Sequence, residues 1–161
     1  MNDSTMTDLD LHYLRQAIAM ARNARDSGNH PFGAVLADGI GHMLAEAGNT
    51  VITTRDCTAH AEMNLLRIAS PQYDPATLAL CTLYASTEPC SMCSSAIFWS
   101  GITRVVFGVG ADRLYEMTKQ PDRLLLSCRD LFAQSTCHPE IIGPVMEDEA
   151  VQVHEGFWTS A

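Results

Sequence analysis

Two short segments carry residue types that can do chemistry together. The first is His60-Ala61-Glu62, and the second is Glu88-Pro89-Cys90-Ser91-Met92-Cys93. One imidazole and two thiolates make the mixed nitrogen and sulfur donor set that zinc prefers. Three protein ligands leave a tetrahedral ion one open position, where zinc can acidify a water from a pKa of about 15.7 toward ~7. Glu62 lies two residues from the imidazole. It is the candidate acid-base group for that water's protons, which requires that it not be a ligand. A structural centre would need a fourth ligand, and Cys57 or His138 could supply one. Cys-x-x-Cys alone also fits redox chemistry, and His-x-Glu alone means little. Together, each at the start of an expected helix, they point to catalytic zinc.

The elements that must position these groups can be read from periodicity. Leu9 to Arg25 reads as an amphipathic helix with Leu11, Leu14, Ile18 and Ala21 on one face and Asp8 as its cap. Gly33 to Ala37 and Met43 to Ala47 read as a hairpin about the Asp38-Gly39 turn, and 51–57 as a loop with some extended character. Thr58 to Ala69 reads as a helix whose inner stripe is Ala61, Leu65 and Ile68. Leu80 to Ala85 reads as a strand, Pro89 to Trp99 as a helix, and Arg104 to Val109 as a buried strand. Weaker helices are expected over 112–117 and 127–134, then a strand over 140–146 and a terminal helix over 147–158. Strands alternating with helices predict an α/β protein with helices packed on a mixed sheet. Residues three apart share a helix face, so Cys90 and Cys93 can reach one ion. A helix start also favours thiolate over thiol.

Composition narrows the function classes. The 161 residues suit one domain, taken as 9–161 after a flexible tail over 1–8. Apolar content of 47% argues against disorder, and no apolar stretch is long enough to span a membrane. The acidic N-terminus is not a secretory signal, so a cytoplasmic location is expected, with no disulfide framework among the six cysteines. Cys57, Cys81, Cys128 and Cys137 are then small core or near-surface thiols. With 10 basic against 19 acidic residues the net charge is −9, unfavourable for binding nucleic acid through its phosphates. Arg15, Arg22 and Arg25 are expected to form a solvated helix face.

The His-x-Glu and Pro-Cys-x-x-Cys blocks are the known signature of zinc-dependent nucleobase deaminases. With Pro31-Phe32-Gly33-Ala34-Val35, Gly48-Asn49, Thr58-Ala59-His60-Ala61-Glu62, Thr87 to Cys93 and Arg104 to Gly108 in family order, the chain resembles the cytidine deaminase superfamily. Within it the chain is similar to the branch holding guanine deaminase and tRNA adenosine deaminase. The resemblance implies a three-layer α/β/α sandwich with a mixed five-stranded sheet, one zinc per subunit and a homodimer. It implies that His60, Cys90 and Cys93 hold the metal and that Glu62 is catalytic. It also implies that Asn49 hydrogen-bonds the substrate ring, that Phe32 packs on it, and that backbone near Ala61 and Glu88 touches it.

Ala96-Ile97-Phe98-Trp99-Ser100 resembles a guanine deaminase pattern, which would set Trp99 against a purine. Guanine is accordingly the leading expected substrate. Cytosine, amino-triazines and nucleosides are alternatives, and tRNA adenosine is less favoured given the charge. A purine would call for a carboxylate to read its ring, and Glu116, Glu140 and Glu147 are candidates. The segment 144–161, with Phe157 and Trp158, resembles a closing segment over the active site. A non-catalytic zinc module is the class-level alternative, and such a module has no use for Glu62.

Overall fold

Helix α1 covers Asp8–Asp26. It begins where Thr7, not Asp8, caps it: the Thr7 hydroxyl accepts from the Asp10 backbone and the Asp10 carboxylate accepts from the Thr7 backbone. This reciprocal box satisfies two of the donors a helix start leaves open. A computed structural model describes residues 6–158, so most of the expected tail over 1–8 lies outside the described residues, and Thr7 and Asp8 belong to the cap and the helix.

Strands β1 (Gly33–Ala37) and β2 (Met43–Gly48) form the expected hairpin. Its turn is fixed by Asp38, whose carboxylate accepts from the Ile40 and His42 backbones at 3.0 and 2.8 Å. After α2 (Val51–Thr54), α3 (Ala61–Ala69) and α4 (Pro75–Leu78) come β3 (Thr82–Thr87), α5 (Ser91–Ser100) and β4 (Arg104–Val109). Then follow α6 (Ala111–Thr118), α7 (Cys128–Ala133), β5 (Glu140–Ile142), α8 (Glu147–Ala150) and a 3-10 turn over Val151–His154. The sheet order is β2-β1-β3-β4-β5, antiparallel across its first three strands and parallel from β3 to β5. No helix among the described residues is long and apolar enough to cross a membrane.

Side chains alternate across a strand, so each central strand feeds two cores. Ala34, Leu36, Leu83, Ala85, Val105 and Phe107 meet α3, α5 and α7 on one face. Val35, Ala37, Tyr84 and Val106 meet α1 and the 147–153 segment on the other. This is the expected three-layer α/β/α sandwich. The layers are close: a Cβ on Gly33 would come within 2.3 Å of the Ala17 carbonyl, so only glycine lets α1 rest on β1 here.

Several local expectations are corrected. The 51–57 segment contains the short helix α2, and α4 was not foreseen, although Asp74 and Pro75 form an N-cap and first-turn pair. The second long helix starts at Ala61 rather than Thr58, and its inner stripe is Ala61, Leu65, Leu66 and Ala69, with Ile68 44% exposed. The last strand ends at Ile142, before the Gly143–Pro144 pair that removes a backbone donor. The expected terminal helix is one α-turn and one 3-10 turn.

One buried charge ties α1 to the sheet. Asp10, 2% exposed, accepts two bonds from Arg104 on β4 at 2.6 and 3.1 Å and one from the Tyr84 hydroxyl on β3 at 2.8 Å. Arg104 also reaches Glu140 on β5 at 2.8 Å. Burial pushes the Asp10 carboxyl up, but Arg104, Thr7 and Tyr84 outweigh it and hold the carboxyl well below its ordinary value. Asp10→Ala should cost about 3–5 kcal/mol by leaving Arg104 partly unpaired. For a chain this size that lowers the melting temperature by about 6 °C or more, measured by thermal unfolding. Because the folded carboxyl titrates below the unfolded one, its stabilisation is whole above about pH 5 and is lost as pH falls below that. Asp10→Asn should therefore flatten the acid limb of the stability curve.

Candidate active site

Helix α3 and helix α5 lie on the same face of the sheet and begin beside one another. Each begins unusually. The residues before their first turns are His60 and Cys90, both in extended backbone, and neither side chain makes a capping bond. Cap positions normally carry Ser, Thr, Asp or Asn for that purpose. Here the two side chains turn to each other instead. His60 Nδ1 lies 3.6 Å from Cys90 Sγ and 3.6 Å from Cys93 Sγ.

That spacing is what a metal requires. Zinc bonds of about 2.3 Å to sulfur and 2.0–2.1 Å to nitrogen, at a tetrahedral angle, put neighbouring nitrogen and sulfur ligands about 3.5–3.6 Å apart. The three donor atoms lie within 4.8 Å of one another, and they are the only such group of His, Cys, Asp and Glu among the described residues. Cys57 and His138 are exposed and outside the group, so no fourth protein ligand among the described residues closes it. The electrostatics agree. The Cys93 thiol and His60 lower Cys90 to about 4 against the effect of burial. Cys93 is pushed up by its bond to Cys90, by burial and by Glu62. Two thiols and a buried carboxylate thus compete for negative charge, a conflict that a divalent cation relieves. His60, Cys90 and Cys93 are positioned to hold zinc.

The second row of contacts fixes these ligands. Asn64 on α3 donates to the Gly48 carbonyl and the Thr50 hydroxyl at 3.0 Å each, pinning the loop that delivers His60. Ser94 on α5 donates to the Pro89 carbonyl at 3.1 Å. Glu62 sits in the first turn of α3, 8% exposed, its carboxylate 3.5 Å from Cys93 Sγ. Burial pushes it up to about 7, with the Cys90 thiolate adding to the effect.

A cavity of about 80 Å³ opens beside the donors. Phe32, His60, Glu62 and Cys90 line it, as the sequence suggests, and Thr87, Glu88 and Leu114 complete it. Asn49 is 2% exposed behind Phe32, whose carbonyl accepts its backbone N–H at 3.0 Å. The Asn49 carboxamide oxygen accepts from the Val51 N–H at 3.0 Å, which fixes the amide's orientation. Its amino group has no hydrogen bond among the described residues. Ala61 is fully buried between His60 and Glu62 and contributes no wall. Trp99 is not brought to the site. It is 82% exposed, edge-on to Phe98, on the outer side of α5.

None of the three candidate reading acids lines this cavity. Glu116 pairs with Arg113 at 3.3 Å, Glu140 with Arg104, and Glu147 accepts from the Gly110 N–H at 2.9 Å. Besides Glu62, the carboxylate that does is Glu88, which accepts from the Ala111 and Cys128 N–H groups at 2.9 and 3.0 Å. It thereby pins the starts of α6 and α7 to the metal-binding block, and α6 supplies Leu114. Glu88 was legible only as part of its motif, and Leu114 stood in a stretch without strong periodicity. Of the arginines expected on a solvated face, Arg15 and Arg22 are exposed and Arg25 is half-buried. Arg15 pairs with Glu149, and Arg25 donates to the Val153 and Glu155 carbonyls at 2.8 Å each, so both grip the 147–158 segment. That segment lays Phe157 and Trp158 against His30 and Phe32 of the same chain.

Comparison with known proteins agrees with this geometry. Residues 7–109 match the family model described as the cytidine and deoxycytidylate deaminase zinc-binding region. The chain is 40% identical over 161 residues to a protein of Schizosaccharomyces pombe named as a probable cytosine deaminase, covering 98% of each. It is 40% identical over 89 residues to the guanine deaminase of Bacillus subtilis, covering 55% of this chain and 56% of that one. The solved guanine deaminase of Nitrosomonas europaea shares the fold, with a TM-score of 0.74 at 21% identity over 98% of this chain and 97% of that one. With its metal donors, its sheet order and its motif blocks all in place, the chain belongs to the zinc-dependent deaminases of the cytidine deaminase family.

Proposed function

We propose that this protein hydrolyses the exocyclic amino group of a free pyrimidine base, cytosine in the first instance, releasing ammonia. The observation that carries the choice of base is the identity to the S. pombe protein, which runs through 98% of both chains rather than through the motif region alone. That identity shifts the preference from the guanine expected on sequence. Guanine remains the second reading, favoured by the 40% identity to the B. subtilis guanine deaminase over the motif region. The net charge of −9 favours a free base over RNA.

His60, Cys90 and Cys93 would hold zinc, which when bound would supply an acidified water at neutral pH. In the reaction a carbon–oxygen bond forms at the amino-bearing ring carbon, the carbon–nitrogen bond breaks, and a carbonyl and ammonia result. Glu62 takes the water's proton on a carboxylate oxygen and returns it to a ring nitrogen. The carboxylate then takes the remaining proton from the oxygen now bonded to the ring carbon and passes it to the departing amine, so that the carbonyl forms as ammonia leaves. Burial near pKa 7 suits both directions of transfer. The free amino group of Asn49 donates to an acceptor on the ring, and Phe32 packs on the ring's face. The reading includes a homodimer, with the exposed Trp99 and the apolar groove beside it, lined by Met63, Leu66 and Ala96, as the face for a second copy. It also places the protein in the cytoplasm, in keeping with six unpaired cysteines.

Glu62→Gln should retain zinc, measured by metal analysis of the purified protein, while ammonia release falls by about 10²–10⁴-fold. A variant that turns over normally would remove Glu62 from the mechanism. Ammonia release measured over cytosine, guanine, adenine, cytidine, guanosine, melamine and a tRNA anticodon stem-loop should be fastest with cytosine. Turnover of the stem-loop alone would overturn the free-base reading. Sedimentation should show a dimer for the native chain and a shift to monomer for Trp99→Asp.

A further inference from the structure

Thr87 is the last residue of β3 and lines the metal cavity, yet nothing above gives its hydroxyl a task. It is 4% exposed. Behind it stands His154, 2% exposed, with Nε2 3.4 Å from the Thr87 hydroxyl oxygen. Behind His154 in turn stands Trp158, its ring stacked at 15° and its indole N–H donating to His154 Nδ1 at 3.2 Å.

The hydrogens in this chain of contacts have one consistent arrangement. Indole nitrogen is a donor only, so His154 Nδ1 must accept and carries no proton. Burial first, and then Arg25, hold the His154 pKa at about 4, so the ring is neutral near pH 7. A neutral imidazole without a proton on Nδ1 carries it on Nε2. Nε2–H therefore donates to the Thr87 oxygen. The Thr87 hydroxyl proton must then point elsewhere, and no acceptor for it exists among the described residues. Buried hydroxyl donors are nearly always partnered. The space left to this one is the cavity shared with His60 and Glu62.

We propose that Thr87, oriented by the Trp158–His154 relay, donates a hydrogen bond to the substrate and selects heterocycles that present an acceptor there, a carbonyl oxygen or an unprotonated ring nitrogen. The inference rests on the deaminase reading of the site and adds a second donor to that of Asn49. His154 and Trp158 are positioning residues, acting through Thr87. A site built around a fixed donor rejects rings lacking the matching acceptor more strongly than it rejects rings differing only in apolar bulk.

The test uses the zinc-loaded full chain with cytosine as the probe. Thr87→Val should lower kcat/KM by about 10- to 100-fold and Thr87→Ser should restore most of it, since serine keeps the hydroxyl. 4-Aminopyrimidine, which lacks the carbonyl, identifies the acceptor. A smaller loss with it assigns the carbonyl, and an equal loss assigns a ring nitrogen. Thr87→Val activity within twofold of the native protein, or no rescue by serine, would overturn the proposal. Independently of turnover, nitrogen NMR of the native protein should show His154 as the neutral Nε2–H tautomer at pH 7. The other tautomer, or an imidazolium, would overturn the relay. If the native protein releases ammonia from no heterocycle, the deaminase reading fails and takes the substrate contact with it, whatever tautomer is seen.

Discussion

Three donor atoms from segments 30 residues apart must meet within the few ångströms a tetrahedral ion allows. Almost everything else in this fold follows from meeting that requirement with rigid parts. Two helix starts are brought side by side on one face of a sheet, and each gives up a conventional capping side chain so that a ligand can stand there. The capping stabilisation forgone is about 1 kcal/mol per helix on ordinary scales, a loss the packed cores on both sides of the sheet absorb.

The second constraint is the management of negative charge. An acidic chain gathers carboxylates near a site that already holds two thiols. Glu88 and Glu147 are spent on backbone N–H groups at the start of α6, and Glu88 on that of α7 as well. Anions there are stabilised by the partial positive end of the helix. Asp10 is paired with Arg104 across the other layer. Glu62 stands in the first turn of α3 beside His60, but burial and the Cys90 thiolate outweigh both and push its carboxyl up to about 7, which is the condition a proton carrier needs.

How much of this could be read from the residues follows from the range of each interaction. The donors and Glu62 were legible because their chemistry is tied to spacings of two and three residues. The central strands were legible because burial on both faces makes apolar runs such as Val105 to Val109. Helix starts were misjudged by one to three residues because residues before the first turn share the helix's composition without its hydrogen bonds. Trp99 was set at the site by its place in a motif, but the 3.6-residue period of α5 that aims Cys93 and Ile97 inward turns Trp99 out. His154 and Thr87 lie 67 residues apart, and no local pattern announces a contact of that kind.

The grip of Arg15 and Arg25 on the 147–158 segment bears on how the protein is made. Synthesis runs from the N-terminus, and folding can begin before it finishes. All three metal donors have been made once Cys93 leaves the ribosome, while Leu114, His154 and Trp158 come later. The nascent chain therefore owns the means to hold a metal well before it owns the walls that choose a substrate. The arginines waiting on α1 then clamp the last pieces into place.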